Sequence, residues 1–157
     1  MGGTSIITAL HAGLALLLVI AAIGDIRTRT IPNWLNLAIA LMAPVLWYFS
    51  GLEPWPGMAL QVGIALVCFV LFTGAFALNM MGGGDVKLIG ALALWLPLGQ
   101  LVPFLLVMSI IGGVITLAMW GREKIRKSGS VLEVPYGVAI ALAGLWTIHE
   151  RYLNHFG

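Results

Sequence analysis

Apolar residues run through this chain in long stretches, and charged residues occur only between them. Positions 1–24, 30–52, 54–84, 88–121 and 134–149 contain no Asp, Glu, Lys or Arg. A helix needs about 20 apolar residues to cross a bilayer, so most stretches hold one crossing helix. The 88–121 stretch is too long for one crossing of about 30 Å at about 1.5 Å per residue. Because Pro97, Gly99 and Pro103 interrupt it, we predict two spans joined near 97–100.

The pattern therefore predicts an all-α, polytopic integral membrane bundle of six transmembrane helices. We expect one domain over 1–157, with helices near 5–24, 35–50, 58–78, 84–97, 101–120 and 134–152. The composition agrees, since 61% of the residues are hydrophobic and only 9% are charged, against roughly 25% charged in soluble proteins. The expected surroundings are a lipid bilayer, and a soluble or disordered chain is excluded.

The basic residues predict the orientation of the bundle. Arg27 and Arg29 follow the first span, Lys87 follows the third, and four basic residues at 122–127 follow the fifth. With six spans, all of them lie on one face, which the positive-inside rule makes cytoplasmic, with both termini outside. The first apolar stretch has no basic segment before it and is too long for the core of a signal peptide, so we interpret it as a helix.

Several residue types indicate packing or anchoring rather than chemistry. Cys68 lies inside an apolar run, the three histidines are scattered, and neither a metal nor a cofactor is predicted. Nucleic acid is not an expected partner, because the sequence gives no basic stripe on a folded surface. We interpret the aromatic residues near the predicted span ends as an interfacial belt: Trp47, Tyr48, Trp55, Trp95, Trp120, Trp146 and Tyr152.

The six carboxylates are the candidates for chemistry, because charge is costly in a membrane. Glu53, Glu123 and Glu150 fit solvated positions, and Glu133 fits the start of the last helix. The remaining two are Asp25 in IGDIRTRTIPNWL, at the end of span one, and Asp85 in NMMGGGDVKLIG, at the start of span four. Both fall at the cytoplasmic edge in the six-span topology. Two aspartates that share a proton can act as base and acid, which is the chemistry of aspartyl peptide hydrolysis.

The glycines before Asp85 indicate accessible backbone beside this pair. Gly82, Gly83 and Gly84 leave amides that an extended substrate could approach and pair with. We interpret Arg27, Arg29 and Lys87 first as topology anchors, and second as modulators of the aspartates or contacts for an anionic group: Arg27 and Arg29 follow Asp25, and Lys87 follows Asp85.

Three other interpretations remain open from the residues alone. Asp25 could be an interfacial cap paired with Arg27 or Arg29, and the GGGD segment could be a loop that ends in a helix N-cap. The chain could be a small proton- or ion-coupled transporter with the aspartates as a relay, although a relay favours ionisable groups near the bilayer midplane. It could also be a structural membrane subunit.

Three segments carry a resemblance to a known family. GDIRTRTIPNWL after the first span, GGGDVKLIG at the fourth and VPYGVAIALAG in the last resemble the type IV prepilin leader peptidases. The resemblance implies an inner-membrane GxGD aspartyl protease that removes the short basic leader of pilin precursors at the cytoplasmic face. It makes Asp25 and Asp85 catalytic and lets Gly82 and Gly84 support the second aspartate. The lysine of the family falls on Lys87, and a recurring segment that we expect to pack near the site falls on Pro135, Tyr136 and Gly137.

The chain departs from the longer family members in one respect. Those carry an extra region with paired cysteines between the first spans and also methylate the new N-terminus, whereas here Thr30 leads directly into span two. We therefore predict no methyltransferase activity, and a likeness to the peptidases of tight-adherence (Flp-type) pili or to preflagellin peptidases. Lys87 or Arg29 could meet the acidic residue that follows the cleaved bond in such pilins.

Overall fold

A computed structural model describes the backbone of residues 2–126 and 134–153 and the side chains of residues 3–122 and 134–150. The expectations for Glu123, Glu133 and the basic residues of 122–127 after Arg122 concern side chains outside these ranges.

The described chain is helical and contains no strand, which confirms the all-α prediction. Six helices lie close to the predicted positions, and one irregular turn, Pro54–Met58, precedes α3. The helices are α1 Gly2–Thr28, α2 Asn33–Phe49, α3 Ala59–Ala77, α4 Gly83–Ala93, α5 Leu98–Arg126 and α6 Tyr136–Leu153.

Three segments of the described chain are long and apolar enough to cross a membrane: Gly3–Thr28, Pro54–Ala77 and Leu98–Arg122. The helix α2 is apolar but shorter. Length and composition therefore support a membrane protein with three such spans, and the prediction of six complete crossings is confirmed only to that extent.

The short helix α4 lies inside the bundle. It packs against α2, α3 and α6, while α1 packs against α2 and α6, and α5 packs against α6. Eight of the 11 residues of α4 are buried. The end of the bundle at which α1 ends and α4 begins is called the aspartate end below.

The helix α4 is shorter than the predicted span, because it ends at Ala93 instead of position 97. Pro97 explains part of this difference, since a proline disfavours helical backbone in the residue before it. The 11 residues of α4 extend about 16 Å at about 1.5 Å per residue, well short of a hydrocarbon core of about 30 Å. The next helix begins at Leu98 and continues through Pro103, so only the first of the three predicted interruptions breaks the chain.

Side chains from α2 and α3 donate hydrogen bonds to the backbone carbonyl groups that have no helical partner at the end of α4. The buried Gln61 donates from Nε2 to the carbonyl oxygens of Ala93 at 2.8 Å and Leu96 at 2.6 Å. Trp47 donates from Nε1 to the carbonyl oxygen of Leu94 at 3.0 Å. A buried carbonyl without a partner is costly, so these donors stabilise an early helix end inside an apolar bundle.

The prediction of an aromatic belt is wrong for two tryptophans. Trp47 and Trp95 are buried, and Trp95 donates from Nε1 to the carbonyl oxygen of Ile39 at 2.9 Å. Their indole N–H groups donate to backbone carbonyl oxygens inside the protein. Their positions in the sequence predict contact with lipid headgroups instead. Tyr48, Trp55, Trp120 and Trp146 are exposed, as the belt requires. The side chain of Tyr152 lies outside the described residues.

Replacing Gln61 with Met should destabilise the protein by roughly 1–3 kcal/mol, because two buried carbonyl groups lose their donor while the side-chain volume is nearly kept. The measurement is the midpoint of thermal unfolding in detergent. Leu60→Met is the matched control, since Leu60 is 63% exposed on the same helix. Equal midpoints for the two variants would contradict the role of Gln61.

Candidate active site

Asp25 lies one turn before the end of α1 and is only 5% exposed. The helix ends after Thr28 because Arg29 adopts a left-handed conformation with φ of 53°, and its N–H still donates to the carbonyl oxygen of Asp25 at 3.0 Å. The carboxylate points towards the start of α6, where the N–H of Val138 donates to Oδ2 at 3.2 Å. A backbone donor from another helix therefore holds this side chain.

Asp85 is the third residue of α4 and is 8% exposed. Its Oδ2 accepts a hydrogen bond of 3.2 Å from the N–H of Gly82, the residue just before the helix. The carboxylate thus caps its own helix, at the end where the helix dipole favours a negative charge. The N-cap of α4 is therefore Gly82, the first residue of the GGGD segment, and Asp85 accepts from it as the third residue of the helix.

The two aspartates line one cavity at the aspartate end. Its volume is about 240 Å³, and a water molecule takes about 30 Å³. The cavity can hold several waters or a short stretch of extended backbone, but not a helix. Its lining consists of Asp25, Arg29, Thr30, Ile31, Asn33, Gly82, Gly83, Gly84 and Asp85.

Ile31 joins the two aspartate-bearing segments through close contacts with glycines. A Cβ on Gly84 would lie 3.2 Å from Ile31 Cβ, and a Cβ on Gly137 would lie 2.9 Å from Ile31 Cδ1. The same Cβ on Gly137 would lie 2.9 Å from Cγ and Oδ2 of Asp25. Small residues at these two positions let α4 and α6 approach the end of α1.

The structure places the other predicted residues at varying distances from the cavity. Gly137 contacts Asp25, whereas Tyr136 packs against Gly112 of α5, where an added Cβ would lie 3.1 Å from its ring. The carbonyl oxygen of the buried Pro135 accepts from Val138 at 3.2 Å. Arg27 is exposed and is absent from the cavity lining.

Lys87 also lies outside the cavity. Its Nζ donates to Oδ1 of Asn33 at 2.8 Å, and its side chain lines a neighbouring groove between α2 and α3. The asparagine lines both the groove and the cavity, so the lysine reaches the site only through this neighbour.

Four residues of the site region escaped the sequence reasoning: Thr30, Ile31, Asn33 and Asn36. The sequence of this segment predicts only the start of α2. A usable signal was present, because Asn33 and Asn36 are three positions apart and so share one face of an apolar helix. Asn36 is 5% exposed and donates from Nδ2 to the carbonyl oxygen of Gly84 at 3.3 Å.

The arrangement is suited to acid–base chemistry by a carboxyl pair. Among the described residues, no group of three or more His, Cys, Asp or Glu side chains could hold a metal ion. Two buried carboxyl groups facing one cavity disfavour ionisation of both, so they tend to hold one proton between them. One group can then accept a proton while the other donates one.

A helical membrane protein with a paired-aspartate cavity at one end is the class that fold and site define. The model of the type IV leader peptidase family matches residues 12–117, which include both aspartates. This match covers more than half of the chain, and the chain therefore belongs to that family.

A curated relative is the prepilin leader peptidase/N-methyltransferase of Xanthomonas campestris pv. campestris. It is 27% identical over 134 residues, and the match covers 79% of this chain and 43% of the relative. The chain thus corresponds to less than half of that protein. The comparison with solved structures found no match.

Proposed function

We propose that this protein is an aspartyl endopeptidase that cleaves the short basic leader from type IV pilin-like precursors. The observation that carries the proposal is that Asp25 of α1 and Asp85 of α4 line one small cavity. Family membership supports leader cleavage as the reaction, and the relative's name specifies a prepilin substrate.

In the proposed mechanism, the ionised aspartate takes a proton from a water molecule. The oxygen of that water attacks the carbonyl carbon of the scissile peptide bond at the same time. The protonated aspartate donates its proton to the nitrogen that leaves when the C–N bond breaks. The products are a leader with a new carboxyl group and a pilin with a new amino group. Backbone N–H groups of Gly82 and Val138 orient the two carboxylates for these transfers.

The substrate must be unwound at the cleaved bond. A helix hides its peptide bonds behind internal hydrogen bonds, and the cavity of about 240 Å³ has no room for a helical turn with its side chains. Backbone of the 82–84 segment lines the cavity and offers a surface along which an extended segment can lie.

We place the cavity at the cytoplasmic face of the inner membrane, with both termini outside. Support comes from the basic residues, because Arg29 lines the cavity and Lys87 lies beside it. The positive-inside rule assigns such an end to the cytoplasm. A pilin precursor with a basic leader in the cytoplasm and an apolar helix in the bilayer would present its junction at this depth.

We propose peptidase activity without methyl transfer. In this chain only the residues between Thr28 and Asn33 separate α1 from α2, which leaves no room for an additional region there. No observation favours the transporter hypothesis: both aspartates lie at one end of the bundle, and the family match points to a peptidase.

Asp25→Asn and Asp85→Asn should each lower cleavage of a co-expressed prepilin by roughly 100- to 10,000-fold, because each removes a proton-transfer group. The measurement is the mass of the new pilin N-terminus over time, at equal membrane levels of each variant. Glu53→Gln is the matched control, since Glu53 is an exposed carboxylate outside the cavity. Cleavage at the wild-type rate in either aspartate variant would refute the paired mechanism.

Gly137→Ala should lower the cleavage rate by roughly 10- to 100-fold, because its Cβ displaces the Asp25 carboxylate and small displacements of catalytic groups are costly. The same assay tests it. Gly63→Ala is the control, since a Cβ there meets nothing within 4 Å. Unchanged cleavage by Gly137→Ala would show that the close contact between α6 and Asp25 does not position the carboxylate.

A further inference from the structure

An apolar groove opens on the side of the bundle next to the aspartate cavity. It lies between α2 and α3, has α4 as its floor and encloses about 580 Å³; it is called the lateral groove below. Its rims carry exposed apolar side chains, including Leu37 at 58% and Leu66 at 60% exposure. Its floor includes Gly90 and Ala91. Phe69 of α3 packs over Gly90, where an added Cβ would lie 2.9 Å from its ring.

The lateral groove is polar only where it meets the cavity. Asn33 lines both spaces, and Lys87 and Asn36 lie at the same end of the groove. Asn36 is 5% exposed, and its Oδ1 accepts no hydrogen bond from the described residues. A buried acceptor without a donor is costly, and a turn of the Asn36 side chain towards the groove would let a bound molecule supply that donor.

We infer that the lateral groove binds the apolar transmembrane helix of the substrate and leads its first residues to the aspartates. This inference rests on the proposed function. The first turn of any helix has N–H groups without internal partners, and such a group is a suitable donor to Asn36 Oδ1 once this side chain turns towards the groove. A carboxylate in that turn would complement both the helix dipole and the ammonium group of Lys87.

A second apolar groove on the other side of α3 lacks these features. It lies between α3 and α5, encloses about 470 Å³, and shares no lining residue with the aspartate cavity. Its lining contains no charged side chain and no asparagine. A helix bound there would have neither the unpaired acceptor nor a continuous path to the aspartates.

Two neighbouring residues of α3 distinguish the grooves. Leu66 lines the lateral groove and Val67 lines the second groove, at 60% and 61% exposure. A photoreactive benzophenone amino acid is placed at one or the other position in full-length Asp85→Asn protein, which retains uncut substrate. The probe is a co-expressed prepilin with one apolar helix, and irradiated membranes are analysed for the cross-linked product and the prepilin residues it contains.

The expected result is at least a tenfold higher yield from position 66 than from position 67, with the cross-link in the first half of the prepilin helix. Equal yields, a higher yield from position 67, or no product at either position would overturn the inference, provided that the wild-type protein cleaves the same prepilin. Failure of the wild-type protein to cleave it would instead overturn the proposed function, and the inference with it.

Discussion

The backbone N–H and C=O groups at both ends of α4 have no partner within the helix, and α4 lies inside an apolar protein. Each of these groups therefore needs a hydrogen-bond partner from a side chain or another segment. Gln61 and Trp47 supply donors at one end. Asp85 accepts from Gly82 at the other end, and Asn36 donates to Gly84. Because lipid offers no replacement for these bonds, the position of this short helix along the bundle is fixed by side chains of its neighbours. The depth of Asp85 follows from that position.

The close contact around Ile31 has the same consequence for Asp25. The Ile31 side chain lies against Gly84 of α4 and Gly137 of α6, so the segment after α1 packs between α4 and α6. The bond from Val138 to Asp25 then joins α6 to α1. The cavity is therefore lined by the end of α1, the segment that leads into α2 and the start of α4. The helix α6 supports it through Val138 and Gly137, and a methyl group at either glycine would disturb it.

Charge scarcity made the helices and the aspartate pair predictable. In an apolar chain, breaks between spans coincide with charges, and Asp25 and Asp85 are unusual because they border spans without solvating a loop. The sequence could not show that α4 ends early, because the early end depends on Gln61 and Trp47, which donate from other helices to the carbonyl groups after α4. The role of Ile31 could not be predicted for a similar reason. It depends on contacts with two glycines that are remote in sequence, and nothing distinguishes this isoleucine from the many other apolar residues of the chain.

The most direct test of the account is whether positions 25 and 85 face each other across one cavity in the membrane. Asp25→Cys and Asp85→Cys are combined in a chain whose free Cys68 is replaced by Ala, and intact membranes are treated with a short bifunctional thiol reagent. The account predicts an intramolecular cross-link, identified by mass spectrometry. It predicts none when Asp25→Cys is combined with Leu94→Cys, which lies beyond the far end of α4, about 14 Å further along at about 1.5 Å per residue. Equal cross-linking of both pairs, or none at positions 25 and 85 while each single cysteine reacts, would contradict a shared aspartate cavity.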